Sequence, residues 1–402
     1  MNAVGPYILI DARARQDGFK SHKNRGIGQY ARRLIEGVRA IDPPFDVAYL
    51  VDQALPLDPI HDGVPLVSYR SLTTSRSFRF FEPQARLPYV LRHSPPALTH
   101  FLAHDDAAYR LRSPYMVTVH DTVSFDAADL YGPIQKVRNR IVGWFGQRNI
   151  ERAAYVIADS EHTRKDVIRR FHVDPDRVRV VYLAADEHFF SPADRDRVEA
   201  VRARLSLPRR SILYVGGIDP RKNVPGLIRA LASFRGTDLD DVELLMAGNV
   251  RSQAEFPQLE ALIASERLTD RVRLLGFVDD PTLAALYAAC SVFVFPSFYE
   301  GFGLPVLEAM ASGAAVVTTR RSSIPELGGE AVAYVEPADA GDIARGLRQV
   351  LERHDVRDAL RRAGPQRARR FSWDRTVRET IAVYRFLFEE MRDGRVPKRT
   401  PA

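Results

Sequence analysis

The feature that most constrains this chain is a rhythm that runs twice. Short apolar runs alternate with amphipathic stretches, the pattern of strands each followed by a crossover helix. Tyr7–Ile10, Val47–Val51, Leu98–Leu102, Met116–Val119, Val156–Ala158 and Val178–Tyr182 read as strands. Gly26 to about Ala40, Pro133–Arg152 and Glu161–Phe171 read as helices between them. Residues 184–210 break the rhythm: they are polar, carry Pro192 and Pro208, and hold no buried strand. A second series follows, with strands at Ser211–Val215, Val242–Ala247, Val272–Leu275, Val292–Phe295, Ala315–Thr318 and Ala331–Val335. Its helices begin near Val224, Gln258, Pro281, Pro305, Ala340 and Asp355. Continuous apolar strands of this kind belong to parallel sheets covered on both faces. The expected fold class is α/β: a domain over residues 1–190, a second over 191–372, and a long helix at Trp373–Arg392.

Composition narrows the function. At 402 residues the chain supports two cores without staples. Its single cysteine, Cys290, excludes an internal disulfide and a Cys-rich zinc site. The net charge is +7, and 52 of the 58 basic residues are arginine, whose planar fork suits phosphate. The excess is spread along the chain, so no nucleic-acid partner is expected. The start, MNAVGPYILIDARARQ, lacks the pattern of a secretory signal, and no apolar stretch approaches the ~18 residues that span a bilayer. The expected location is the cytoplasm, at the inner face of the plasma membrane if the helix around Lys136, Arg138, Arg140, Trp144, Phe145 and Arg148 lies on lipid, as its mixed cations and aromatics permit. The same helix fits an apolar side packed inward.

Ligands of open parallel sheets sit at the carboxyl ends of strands, where strand order reverses. Four loops in such positions carry chemistry. Phe295-Pro-Ser-Phe-Tyr-Glu300-Gly-Phe-Gly-Leu-Pro305-Val-Leu-Glu308 joins a strand to a helix through a glycine-bearing turn. Exposed amides and the helix dipole there favour an anion such as a diphosphate. Glu300 and Glu308 are spaced to grip hydroxyls at opposite ends of an elongated ligand. Gly216-Gly217-Ile-Asp-Pro-Arg221-Lys222-Asn223 places two cations at a helix start, where the dipole repels them and a bound anion compensates. Asn24-Arg25-Gly26-Ile27-Gly28 opens the first helix, equally as a plain tight turn. Val119-His120-Asp121 follows a strand, with Asp121 placed to orient the histidine ring. Ser160 and Arg164 open a further helix, where an ordinary cap also accounts for the serine.

These strings resemble the retaining nucleotide-sugar glycosyltransferases of family 4, whose signature is two glutamates separated by seven residues in the same Phe-Gly-Leu setting. The resemblance implies the GT-B fold, two Rossmann-like doubly wound domains facing across a cleft, with the last helix, Trp373–Arg392, crossing back to the first domain. It implies that Glu300 contacts the donor sugar, Glu308 the nucleotide ribose, and the Gly303 and Leu304 amides the donor phosphates. Lys222 resembles the diphosphate-binding lysine, with Arg221 beside it. Many members carry arginine where this chain has Gly217, a departure for which Arg25 or Arg221 could substitute. Gly26 takes the phosphate-loop role of the first domain, and His120 the contact to the transferred sugar. The implied function is transfer of a hexose, with mannose from GDP-mannose the specific expectation ahead of UDP-sugars, to a glycan or lipid-linked saccharide. The Gly-Gly-Ile-Asp-Pro-Arg-Lys-Asn wording resembles bacterial mannosyltransferases of surface polysaccharide and O-antigen assembly. A sugar-nucleotide epimerase or a non-catalytic binding protein of the same fold is the alternative. No cofactor and no metal is expected: Asp105-Asp106 reads as a polar loop, and His100 and His104 lie outside any metal-site pattern.

Overall fold

The computed structural model describes residues 6–19, 26–72, 82–123, 133–191 and 195–395. The chain forms two compact units. The first comprises residues up to Leu183 together with the terminal helix Trp373–Arg392, and the second runs from Ala184 to Ser372.

The sheet of the first unit is wholly parallel: β1 Tyr7–Asp11, β2 Asp46–Asp52, β3 Leu66–Tyr69, β4 Leu98–Phe101, β5 Tyr115–Val119, β6 Tyr155–Ala158 and β7 Val178–Val180. The spatial order is β3-β2-β1-β4-β5-β6-β7. Ile8 in β1 sits opposite Val47 on one side and Leu98 on the other, so strand order reverses at β1 and β4. Each residue of β1, β4, β5 and β6 is buried, as expected of apolar runs covered on both faces.

The second unit repeats the winding. Strands β8 Ser211–Val215, β9 Glu243–Ala247, β10 Val272–Gly276, β11 Val292–Phe295, β12 Val316–Thr319 and β13 Ala333–Val335 lie in the order β10-β9-β8-β11-β12-β13, all parallel. Its reversal falls between β8 and β11, where Val292 and Phe293 face Ile212 and Leu213. Both units are Rossmann-like, and the architecture is the GT-B fold.

Helices start where side chains satisfy their first amides. Ser160 Oγ accepts from the Thr163 amide at 3.0 Å, and Asp279 Oδ1 from the Thr282 amide at 3.0 Å. The terminal helix packs along helix Gly26–Ile41. A Cβ on Gly37 would come within 2.5 Å of Val377, so only glycine permits this approach. Thr376 Oγ1 donates to the Tyr182 carbonyl at 2.6 Å, and Val377, Ile381, Tyr384 and Leu387 are buried.

The structure departs from the pattern reading in four places. Strand β3 gave no signal because it is short and half-buried at a sheet edge. Helix Glu82–Leu91 contains Pro83 and Pro88, which mark a break rather than a helix in sequence. Helix Ile324–Gly328 is a single short segment. The division between the units falls at Ala184, seven residues before the expected 190/191. Residues 184–191 pack on the second unit: the Phe189 ring lies 6.0 Å from that of Tyr287, and Arg369 stands over Phe190.

Candidate active site

In the second unit the chemistry gathers at the strand-order reversal. Two chain segments leave the carboxyl ends of β8 and β11, neighbours in the sheet, and so must run side by side. The first makes a tight turn through Gly216 (φ 147°) and a short 3-10 turn Pro220–Lys222, then enters helix Val224–Ala232 through Asn223 in the left-handed region (φ 54°). The second crosses Pro296–Phe302 to helix Leu304–Ala311. Backbone and side chains tie them together. The Phe298 amide donates to the Arg221 carbonyl at 2.8 Å, and Asn223 Nδ2 donates to the carbonyls of Pro296 and Pro337 at 3.3 and 2.6 Å. Ser322 Oγ accepts from the Glu300 amide, while Ser323 Oγ reaches the carbonyls of Glu300 and Phe302.

This scaffold joins three charges. Lys222 Nζ lies 2.7 Å from Glu300 Oε1, and Arg221 Nη1 lies 3.2 Å from Glu300 Oε2. Arg221 Nε also pairs with Asp219 at 3.0 Å, and the Lys222 ammonium stands 4.7 Å over the Phe295 ring. Burial by itself would push the Glu300 carboxyl up; Lys222 and Arg221 overcome it and hold the group below the usual carboxylate range. Burial, then Arg221, lowers the Lys222 ammonium. A bound anion is the expected compensation for these cations at the helix start; in the structure Glu300 and Asp219 pair with them. An ammonium has three donors, of which the bond to Glu300 uses one.

Helix Leu304–Ala311 begins beside Glu300. Gly303 is its N-cap at φ 106°, and a Cβ there would meet Ile324 Cδ1 at 2.7 Å. Pro305, which has no N–H to orphan, stands in the first turn. One turn on, Glu308 is buried, with Oε2 3.4 Å from the Tyr287 hydroxyl. Burial, followed by the nearby Asp280 and Asp186 carboxylates, pushes Glu308 up to about 8. At Gly217 the Gln253 side chain closes the space: its Oε1 accepts from the Ile218 amide at 2.8 Å and lies 2.9 Å from where a Cβ would stand.

In the first unit His120 follows β5. Its Nδ1 lies 2.6 Å from Asp159 Oδ2 and its Nε2 lies 2.7 Å from the Leu102 carbonyl oxygen. The expected orienting partner, Asp121, is not the one used: Asp121 Oδ1 accepts from the Val123 amide at 3.1 Å. Asp159 stands at the end of β6, which pairs with β5, and therefore reaches the ring from the neighbouring strand. Asp159 has no role in the reading of the sequence, although its position just past the end of β6 was the available signal. Tyr30 packs edge-on to the His120 ring at 5.3 Å.

Gly26 begins the first helix, and Asn24 and Arg25 lie outside the described residues. Arg164 donates to the Val178 carbonyl at 3.1 Å, a structural bond. Cys290 is buried, and burial pushes its thiol up to about 12. His100 is buried in β4, and His104 with Asp105 and Asp106 forms a 3-10 turn. Among the described residues no group of three or more His, Cys, Asp or Glu could hold a metal ion. Of the helix Pro133–Glu151, the side chains of Lys136 and Arg138 lie outside the described residues; Trp144 is half-exposed, edge-on to Phe145 and beneath Arg148. Among the described residues no helix is long and apolar enough to cross a membrane.

Two family profiles divide the chain between them. Residues 24–189 match Glycosyltransferase Family 4, and residues 199–367 match Glycosyl transferases group 1. The chain belongs to glycosyltransferase family 4. This glycosyltransferase is 27% identical over 372 residues to the O-antigen chain mannosyltransferase B of Escherichia coli, covering 90% of the present chain and 96% of that protein. It is 34% identical over 284 residues to the D-inositol 3-phosphate glycosyltransferase of Salinispora tropica, across 67% of this chain and 58% of the other. The chain thus spans somewhat over half the length of that second relative. In structure it resembles Anabaena HepE, solved in complex with UDP-glucose, with a TM-score of 0.72 at 18% identity, covering 94% of this chain and 99% of that one.

Proposed function

We propose that the glycosyltransferase moves a hexose, mannose from GDP-mannose, to a glycan or lipid-linked saccharide with retention of anomeric configuration. The observation that carries this reading is the Lys222–Glu300–Arg221 cluster at the carboxyl ends of β8 and β11, beside the N-terminus of helix Leu304–Ala311. Cleaving a sugar–phosphate bond builds negative charge on the leaving diphosphate, and fixed positive potential there is the most economical help. Lys222, Arg221 and the helix amides of Gly303 and Leu304 supply it without a metal. Glu300 keeps the two cations in position and accepts from hydroxyls of the transferred sugar, Glu308 takes the ribose, and His120 contacts the sugar. Gly217, in the turn after β8, stands on the phosphate side of the second unit, and Gly26 takes the phosphate-loop role of the first.

The reaction balances without a cofactor. The bond from the anomeric carbon to the phosphate oxygen breaks, a bond from that carbon to the acceptor oxygen forms on the same face, and the acceptor proton passes to the departing phosphate oxygen. The mannosyl specificity is supported by the Escherichia coli relative, itself an O-antigen mannosyltransferase. The nucleotide donor is supported by the HepE complex with UDP-glucose. An acceptor on lipid would put the enzyme at the inner face of the plasma membrane, with the half-exposed Trp144 and Arg148 against the headgroups.

Thermal unfolding with GDP, UDP and ADP tests the base, since a ligand that binds only the native state raises the midpoint. GDP is expected to give the largest rise. Transfer from a nucleotide-sugar panel, with the product anomer read by NMR, tests the rest. Absence of transfer from every donor, or interconversion of donors without acceptor, overturns the reading. Co-sedimentation with anionic liposomes tests the membrane contact, and a negative result removes it.

A further inference from the structure

Two histidines lie close together in the first unit, and their hydrogen-bond partners differ in kind. His100, wholly buried in β4, has Nδ1 2.6 Å from the Tyr384 hydroxyl and Nε2 2.9 Å from Thr118 Oγ1. Hydroxyls donate or accept, so a neutral ring satisfies both contacts. His120 has no such freedom. Its Nδ1 meets a carboxylate oxygen of Asp159 and its Nε2 a backbone carbonyl, and a carbonyl carries no hydrogen. Satisfying both contacts takes two protons, and the carboxylate is the group of the pair that gives them up first in water.

We propose that Asp159 is the positioning residue of His120 and that the pair stands as carboxylate and imidazolium, so that His120 presents a ligand with a fixed positive charge and with an Nε2–H that the ligand shares with, or takes over from, the Leu102 carbonyl, never with a lone pair. The burial is arranged accordingly. The Asp159 side chain is 2% exposed and that of His120 14%, so the anion is sealed beneath and the cation's edge is open. The other Asp159 oxygen, Oδ1, is buried with no hydrogen-bond partner among the described residues, which leaves the imidazole to answer its charge.

Burial, with Asp121, holds the Asp159 carboxyl above its ordinary value while His120 draws it down, so it is the two hydrogen-bond contacts of the ring that place the protons. Burial opposes charge on His120, but Asp159, its short hydrogen bond, the Leu102 carbonyl and Asp121 together raise the ring above its ordinary value. Burial and then the neighbouring His120 depress His100 to about 3, so that ring stays neutral. The Tyr30 phenol, raised by burial, also stays neutral. A raised histidine keeps its charge to higher pH than an ordinary imidazole and loses it as pH climbs through the raised value.

The charge assignment stands on geometry alone; its use in sugar transfer rests on the reading above. Nitrogen-15 NMR of histidine-labelled wild type, with His120 assigned by its loss in His120→Gln, reads the charge directly. Both His120 nitrogens are expected to be protonated at pH 7.5. A neutral ring at that pH, or the bridging proton residing on the Asp159 carboxyl, overturns the proposal even if transfer proceeds normally. In Asp159→Asn the ring should titrate at or below the ordinary histidine value near 6.5, and kcat at pH 8 should fall tenfold or more while recovering toward pH 5.5. A uniform loss at every pH marks Asp159 as structural only and overturns its positioning role. Wild type that shows the doubly protonated ring but transfers from no donor defeats the transferase reading and leaves the pair intact.

Discussion

Glu300 and Glu308 are eight residues apart and carry the same functional group, yet their surroundings drive them in opposite directions. Glu300 is answered by Lys222 and Arg221 and stays ionised; Glu308 has Asp280 and Asp186 near it and rises to about 8. The consequences are measurable. Removing one partner of a buried ion pair typically costs about 3–5 kcal/mol, because the other charge is left unanswered. Lys222→Met and Glu300→Gln should each lower stability by that order and cut transfer at least tenfold. The double variant should regain most of the stability in denaturant titration and none of the activity. Recovery of activity with stability would show that the pair serves folding alone. For Glu308 the folded-state value lies above the unfolded one, so the native state holds the extra proton between about pH 4.5 and 8 and stability falls as pH rises through that window. Glu308→Gln, which imitates the protonated form, should match wild type near pH 4.5 and melt higher than wild type at pH 8.5. Equal midpoints at both pH values would contradict the shift.

At the scale of elements, the phosphate end of the site depends on how helix Leu304–Ala311 begins. Gly303 holds a left-handed conformation, and Ile324 from the following short helix occupies the space where a side chain would start. Gly303→Ala therefore meets both backbone strain of roughly 1–2 kcal/mol and a contact 2.7 Å from Ile324. It should weaken nucleotide binding in calorimetry, and pairing it with Ile324→Ala should restore part of the loss. A Gly303→Ala chain with unaltered nucleotide affinity would separate this turn from the ligand. The elements that sequence revealed best are those buried on both sides: Ser211–Val215, apolar from Ile212 on, and Val292–Phe295, apolar throughout, came out with their observed bounds. Strand β3 and helix Glu82–Leu91 escaped because their fit depends on neighbours, a half-covered sheet edge in one case and a proline-bearing helix in the other.

Across the whole molecule, the first unit is built from two separated pieces of chain. It ends at Leu183 and is completed only when Trp373–Arg392 returns 190 residues later. That helix brings Val377 against Gly37 and the Tyr384 hydroxyl to His100. A chain ending at Ser372 should lose the cooperative thermal transition of the first unit, seen in near-UV circular dichroism, and keep the nucleotide-induced rise in midpoint of the second. Retention of both transitions would show that the first unit is complete without its terminal helix.

By itself the sequence determined that each half is a parallel sheet covered on both faces, because apolar runs of strand length joined by amphipathic helices have few ways to bury themselves. It also marked the loops after β8, β11 and β5 as the places for chemistry, since glycines, cations and carboxylates cluster just where strands end. Only the tertiary structure decided who answers whom. Asp159 rather than Asp121 holds His120, and Glu300 rather than a ligand alone balances Lys222 and Arg221. Such pairings are set by which strands lie side by side: β6 beside β5, β11 beside β8. Adjacency in a parallel sheet is a matter of space, and position along the chain does not encode it.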